Sequence, residues 1–67
     1  MQHAPDDLTR TLVTHAYAQY CAEHRVRPST LVARRFAVEV TESGARAYHG
    51  LDSGALERLL EREFGDK

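Results

Sequence analysis

The chain has 67 residues, enough for one small domain with a thin hydrophobic core. Its single cysteine excludes an internal disulfide, and no run of residues is apolar or long enough to cross a bilayer. The formal net charge of −1 provides no overall attraction to nucleic acid. Because residues 1–7 lack the basic start and apolar run of a signal peptide, we expect a cytoplasmic protein.

The charges are unevenly distributed along the chain. Residues 1–23 and residues 50–67 each carry a net charge of −2, whereas residues 24–49 carry +3. The arginines of this basic segment are Arg25, Arg27, Arg34, Arg35 and Arg46. A basic middle between acidic ends favours a surface that meets phosphate while the rest keeps the protein soluble. A mixed, solvated surface is the alternative.

The first predicted helix runs from about Asp7 to His24, with Asp6 and Asp7 as N-cap and first-turn acids. Apolar residues recur along it at helical spacing and predict one broad buried face. The face comprises Leu8, Leu12, Ala16 and Tyr20, widened by Val13, Tyr17 and Cys21.

A short basic turn over residues 25–28 separates this helix from a second one. Pro28 disfavours helical geometry at Arg27 and suits the start of a helix, and Ser29 or Arg27 is expected near the capping position. The second helix is expected to reach about Thr41, with Gly44 as its stop. Its buried side is predicted to carry Val32, Ala33, Phe36, Ala37 and Val40, and its outer side Thr30, Arg34 and Thr41.

Residues 36–50 allow a second interpretation. Residues 36–41 alternate as a strand does, and a turn-forming run follows, so a short β-hairpin around 36–50 is the alternative to helix. Residues 45–51 favour a strand or extended arm with Arg46 and Tyr48 on one side. A last helix is expected after a cap at Asp52 or Ser53. Its apolar stripe, which either closes the core or forms a dimer or partner interface, comprises Leu56, Leu59, Leu60 and Phe64.

The fold class that follows is mainly α, a single domain over residues 1–67 with residues 1–6 flexible. Two helices joined by a short basic turn suggest a helix-turn-helix. In that motif an apolar residue fills the turn, small polar residues open the second helix, and its exposed face enters the major groove of DNA. A standard turn has glycine where Arg25 stands and an apolar residue where His24 stands.

The predicted DNA-contacting residues follow from the chemistry of phosphate and base edges. Short polar side chains suit the start of the second helix, where backbone N–H groups meet phosphate, and arginines one turn later can bind a guanine edge or the backbone. Further arginines in the turn and beyond the helix are expected to hold phosphates. These residues are Arg27, Ser29, Thr30, Arg34, Arg35 and Arg46.

A longer pattern runs through the middle of the chain. It consists of Tyr17-Ala-Gln-Tyr20-Cys21-Ala-Glu-His24, Pro28-Ser29, Arg35-Phe36, Val40, Gly44, Arg46, Tyr48 and Gly50-Leu51. Over roughly residues 8–51 the chain resembles the winged-helix domain at the C-terminus of phage and plasmid primase–helicases of the poxvirus-like type, although its wing is very short. The resemblance implies a winged-helix fold and binding to double-stranded DNA, as a transcription regulator or accessory replication factor of a mobile element.

Other chemistries have weaker support in the sequence. Cys21 and His24 share a helical face, but a second ligand pair at useful spacing is missing, so we expect no metal. Ser53 in its Asp-Ser-Gly setting is better explained as part of a helix cap than as a phosphopantetheine attachment point. Neither a catalytic centre nor a cofactor is predicted. The rival function is a small protein-interaction module or inhibitor that docks on a larger partner through its C-terminal amphipathic helix.

Overall fold

The computed structural model describes residues 6–64, which contain three helices: α1 (Asp7–His24), α2 (Thr30–Val40) and α3 (Ser53–Phe64). These bounds confirm the mainly helical fold class. No strand occurs within residues 6–64, so the β-hairpin considered for residues 36–50 is not supported. In the same residues, no helix is both long and apolar enough to span a membrane. The predicted flexibility of residues 1–6 lies outside the described residues, except for Asp6.

Each helix begins at a side chain that accepts a hydrogen bond from a backbone amide. The side chains of Asp6, Ser29 and Asp52 each accept from the N–H group three residues later, at 2.8, 3.2 and 2.8 Å. These bonds satisfy N–H groups that lack a partner within the helix. Of the alternatives that the sequence allowed, the caps are therefore Ser29 for α2 and Asp52 for α3.

α1 ends in a left-handed residue that is not glycine. Arg25 has φ 56°, and the N–H group of Val26 donates to the Cys21 carbonyl at 3.0 Å. This arrangement closes the helix and turns the chain toward α2, and it usually uses glycine because a β-carbon is strained there. Arg25, which stands where a standard helix-turn-helix has glycine, is thus the residue whose backbone is strained.

α2 ends at Val40 with Thr41 as its C-cap, close to the predicted end, but the stop is not the predicted Gly44. The helix closes at Glu42 and Ser43, which have φ 53° and 66° and whose N–H groups donate to the carbonyls of Glu39 and Val38. Gly44 comes after this closure, so it is not the helix stop. Thr41, predicted on the outer side of α2, is fully buried. Its hydroxyl donates to the Ala37 carbonyl at 2.6 Å and accepts from the Gly44 amide at 3.0 Å, so the buried polar group is satisfied.

The predicted strand at residues 45–51 is a tight turn instead. Tyr48 and Leu51 exchange two backbone hydrogen bonds of 2.9 and 3.0 Å, and these form a single isolated bridge. His49 and Gly50 between them both have positive φ, as in a type I′ turn. The turn places the half-buried Tyr48 ring edge-on to Phe36, with 6.1 Å between centroids.

The core lies where the three helices meet, and α2 and α3 pack most extensively against each other. Tyr17 stands at the centre, with its ring edge-on to Phe36 of α2 at 5.3 Å and to Phe64 of α3 at 5.1 Å. The buried core residues are Val13, Tyr17, Cys21, Ala33, Phe36, Ala37, Leu56, Leu59 and Leu60.

The predicted buried face of α1 is too wide. Its buried line is Val13, Tyr17 and Cys21, whereas Leu8 and Leu12 are 67% and 43% exposed. At 100° per residue Leu8 lies about 140° around the helix from Val13. The start of this second line therefore faces solvent, whereas Ala16 and Tyr20 further along it are half-buried against the core, as predicted.

Candidate nucleic-acid interface

Three of the predicted contact residues lie on the turn and at the start of α2. Arg27 is in the turn, Ser29 caps the helix and Thr30 is its first residue, and all three are exposed. The Ser29 side-chain oxygen already accepts from a backbone amide, which leaves its hydroxyl proton for another acceptor. The capped start of α2, at the exposed residues Ser29 and Thr30, thus lies next to an exposed arginine of the turn.

A buried hydroxyl holds this turn in place. The Tyr17 hydroxyl accepts from the N–H group of Ser29 at 3.2 Å and donates to the Ser29 carbonyl at 3.4 Å. Burial raises the pKa of Tyr17 to about 12, so the hydroxyl stays protonated over the physiological range. Val26, the apolar residue of the turn, is 41% exposed and does not fill it. A tyrosine of α1 therefore fixes the start of α2.

Arg34 and Arg35 lie on the solvent side of α2, as predicted. Their side chains are 60% and 75% exposed. Each faces a carboxylate: Arg34 Nε is 3.6 Å from Glu57 Oε1 of α3, and Arg35 Nε is 3.9 Å from Glu39 Oε2. These acids reduce the positive potential around the two arginines.

Glu39 also connects α2 to α1. Its Oε2 accepts a hydrogen bond of 3.1 Å from the Tyr20 hydroxyl, and the Tyr20 ring lies edge-on to Phe36 and near the His24 ring. Burial, followed by this hydrogen bond, raises the pKa of Tyr20. Tyr20 therefore helps to position the carboxylate beside Arg35.

Arg46 is not brought together with the residues at the start of α2. It lies in the turn after α2, where its Nε is 3.6 Å from Glu42 Oε1. The 11 residues of α2 separate the two ends by about 16 Å at 1.5 Å per residue. A single ligand that contacts both Arg27 and Arg46 has to extend from one end of α2 to the other, as a nucleic-acid backbone can.

Two residues of this site, one exposed and one buried, were not among the predicted DNA-contacting residues. Arg25 is exposed next to Arg27, and neither forms an ion pair with a carboxylate of residues 6–64. The position of Arg25 in the basic turn was the sequence feature that could have identified it. The second is Tyr17, whose hydrogen bonds to Ser29 span 12 positions and leave no local pattern in the sequence.

The predicted partner interface on α3 lies inside the fold. Leu56, Leu59 and Leu60 are buried, and Phe64 is half-buried against the core. These side chains close the core of one chain, which was one of the two roles considered for them. The large apolar side chains that do reach solvent within residues 6–64 are Leu8, Leu12, Val26, Leu31 and Val38.

The described residues show no other cluster with obvious chemistry. Residues 6–64 contain no group of three His, Cys, Asp or Glu side chains placed to hold a metal ion. Cys21 lies on the buried face of α1 and is a free thiol. Comparison of the chain with protein-family models, with curated proteins and with solved structures finds no match.

Proposed function

We propose that the protein is a helix-turn-helix module that binds double-stranded DNA, with α2 in the major groove. The observation that carries this proposal is the surface formed by the turn and the solvent side of α2. Arg25, Arg27, Arg34 and Arg35 are all exposed there, beside the first amides of α2. Arginines and a helix N-terminus are the groups with which proteins hold phosphate and read guanine.

The ion pairs on this surface are compatible with DNA binding. The Nε–oxygen distances are 3.6–3.9 Å, and every side chain involved is more than half exposed except that of Glu57, at 31%. Ion pairs at a protein surface contribute about 0–1 kcal/mol. A phosphate can therefore replace Glu57 or Glu39 as the partner of an arginine at small cost. The carboxylates remain nearby, which predicts moderate affinity with a strong dependence on salt.

Binding to a pool of random 20-base-pair duplexes tests this proposal. If Arg27, Arg34, Arg35 and Arg46 each neutralise one phosphate, the affinity falls with a log–log slope of about −3.6 against salt concentration. The affinity then drops roughly 150-fold between 50 and 200 mM salt. Undetectable binding at 50 mM salt would contradict the proposal.

A matched pair of double variants locates the surface. Arg34→Ala with Arg35→Ala removes two charges from α2, and Arg58→Ala with Arg62→Ala removes two from the exposed side of α3. The α2 variant should reduce the salt slope by about 2, whereas the α3 variant should change affinity only through the weaker, screened field. Equal losses in both variants would show that the attraction is general rather than local.

The resemblance to phage and plasmid primase–helicase domains supports a role in a mobile element, either as a transcription regulator or as an accessory replication factor. Selection of bound duplexes from the random pool separates the two roles. A regulator enriches one sequence motif because base contacts discriminate by about 1–3 kcal/mol per base pair. An accessory factor that holds only the backbone enriches none.

Protein interaction is the second candidate, and the exposed apolar residues of α1 favour it. Leu8 and Leu12 lie one turn apart on α1 and are 67% and 43% exposed, so the packing of residues 6–64 leaves much of both side chains uncovered. Under this function the chain self-associates through α1. Sedimentation velocity over a 100-fold concentration range tests it with Leu8→Ser and Leu12→Ser. Self-association that both substitutions abolish, without duplex binding by the wild type, would favour this function over the first.

A further inference from the structure

Leu31 is the most exposed large apolar side chain among residues 6–64, at 72%. It occupies the second position of α2 and takes no part in the core, which uses Ala33, Phe36 and Ala37 from the same helix. We propose that Leu31 is a specificity-determining residue that contacts the 5-methyl group of thymine in the major groove. This inference rests on the proposed function of α2 and extends it from phosphate binding to base recognition.

The position of Leu31 on α2 supports a contact with bases. Arg34 and Arg35 follow it by three and four residues, a spacing that places side chains next to each other on one helical face. All three side chains are mostly exposed, and Val38, 39% exposed, follows the two arginines at the same spacing, so this face carries two apolar groups and two cations. The exposed Thr30 and the Ser29 cap flank it on the N-terminal side. A ligand that fits this face combines anionic or hydrogen-bond-accepting groups with an apolar group.

Double-stranded B-DNA offers that combination. In its major groove the thymine methyl group is the apolar feature, and it lies among the donors and acceptors of the neighbouring base edges. RNA lacks this methyl group, and the major groove of its A-form helix is too deep and narrow for side chains to read. A leucine side chain followed by arginines therefore matches thymine next to guanine or phosphate in DNA.

Replacing thymine by uracil in DNA tests the contact because it removes the methyl group and leaves base pairing and charge unchanged. Two pools of random 20-base-pair duplexes are compared at 50 mM salt, one made with thymidine and one with deoxyuridine. The wild-type protein should bind the uracil pool about fourfold more weakly for each methyl group it contacts, which equals ~0.8 kcal/mol. Equal binding to the two pools would overturn the inference and leave the proposed function intact.

Two serine variants show whether Leu31 is responsible. Leu31→Ser should bind both pools equally, whereas Leu8→Ser, a similarly exposed leucine of α1, should retain the wild-type preference for thymine. A preference that survives in Leu31→Ser would mean that another side chain contacts the methyl group or that the protein senses the altered stiffness of the duplex, and either would overturn the inference. No binding to either pool would contradict the proposed function itself, and with it the role of Leu31.

Discussion

Replacing Tyr17 by phenylalanine isolates the hydroxyl that joins α1 to the start of α2. The ring contacts with Phe36 and Phe64 remain, and only the hydrogen bonds of 3.2 and 3.4 Å to Ser29 are lost. A typical hydrogen bond contributes about 0.5–1.5 kcal/mol net, but both bonds are long and water can reach the exposed Ser29. We therefore expect a loss of ~1 kcal/mol in total. For a domain of this size, that lowers Tm by about 4–8 °C.

Thermal unfolding followed by circular dichroism measures this loss, with Tyr20→Phe as the matched control. The Tyr20 hydroxyl bonds the exposed side chain of Glu39 rather than the backbone of the turn. Its removal should change Tm by less than half as much. Because Tyr17 positions α2, Tyr17→Phe should also weaken duplex binding. A Tm equal to that of the wild type, or a larger loss in Tyr20→Phe, would refute the role of Tyr17.

The same hydroxyl makes the stability of the protein depend on pH in the alkaline range. Burial raises the pKa of Tyr17 from 10.0 to about 12 in the folded protein. Because the folded protein holds this proton more tightly than the unfolded chain, the hydroxyl contributes stability below pH 10, the pKa in the unfolded chain. That contribution is lost as the pH rises from 10 toward 12. Chemical unfolding at pH 8 and 11 should therefore show a smaller decrease of stability for Tyr17→Phe than for the wild type.

Three further substitutions test the helix ends and the interface. Arg25→Gly should raise the free energy of unfolding by ~1 kcal/mol in urea titrations, because glycine adopts φ 56° without strain, and a loss would contradict this. Hydrogen bonds from Thr9 lower the pKa of Asp6, so the stability due to its ionised form is present above pH 3.8 and lost below it. Asp6→Asn keeps a capping side chain that does not titrate, so the free energy of unfolding should decrease less at acid pH than in the wild type. An unchanged pH profile of stability would argue against this role of Asp6. Glu57→Gln frees Arg34 and should strengthen duplex binding about threefold at low salt, whereas weaker binding would show that the pair positions the arginine.

The helices could be predicted from the sequence because their determinants are local. Asp6 and Ser29 cap their helices through amides three residues away, and the apolar spacing of α2 and α3 fixes which sides are buried. Leu8 was misplaced because the sequence of α1 contains two apolar lines and only tertiary packing selects between them. Thr41 was misplaced because its burial depends on hydrogen bonds with residues on both sides of the helix end.

The candidate site likewise has features that the sequence predicts and features that depend on tertiary packing. The exposure of Arg34 and Arg35 follows from their position opposite the buried side of α2, which the sequence shows. Of their two acidic partners, only one could be predicted from the sequence. Glu39 is one turn from Arg35 and could be expected, but Glu57 reaches Arg34 from α3. Contacts between helices that are distant in sequence depend on how the helices cross, which residue spacing does not encode.

The measurement that tests the central claim most directly is a map of backbone amide chemical shifts during titration with duplex DNA. Binding through the turn and α2 predicts the largest shifts at residues 25–35, with smaller ones near Arg46 and almost none on the exposed side of α3. Shifts centred on Leu8 and Leu12 of α1, or a spectrum that DNA leaves unchanged at low salt, would contradict the assignment of α2 as the DNA-binding helix.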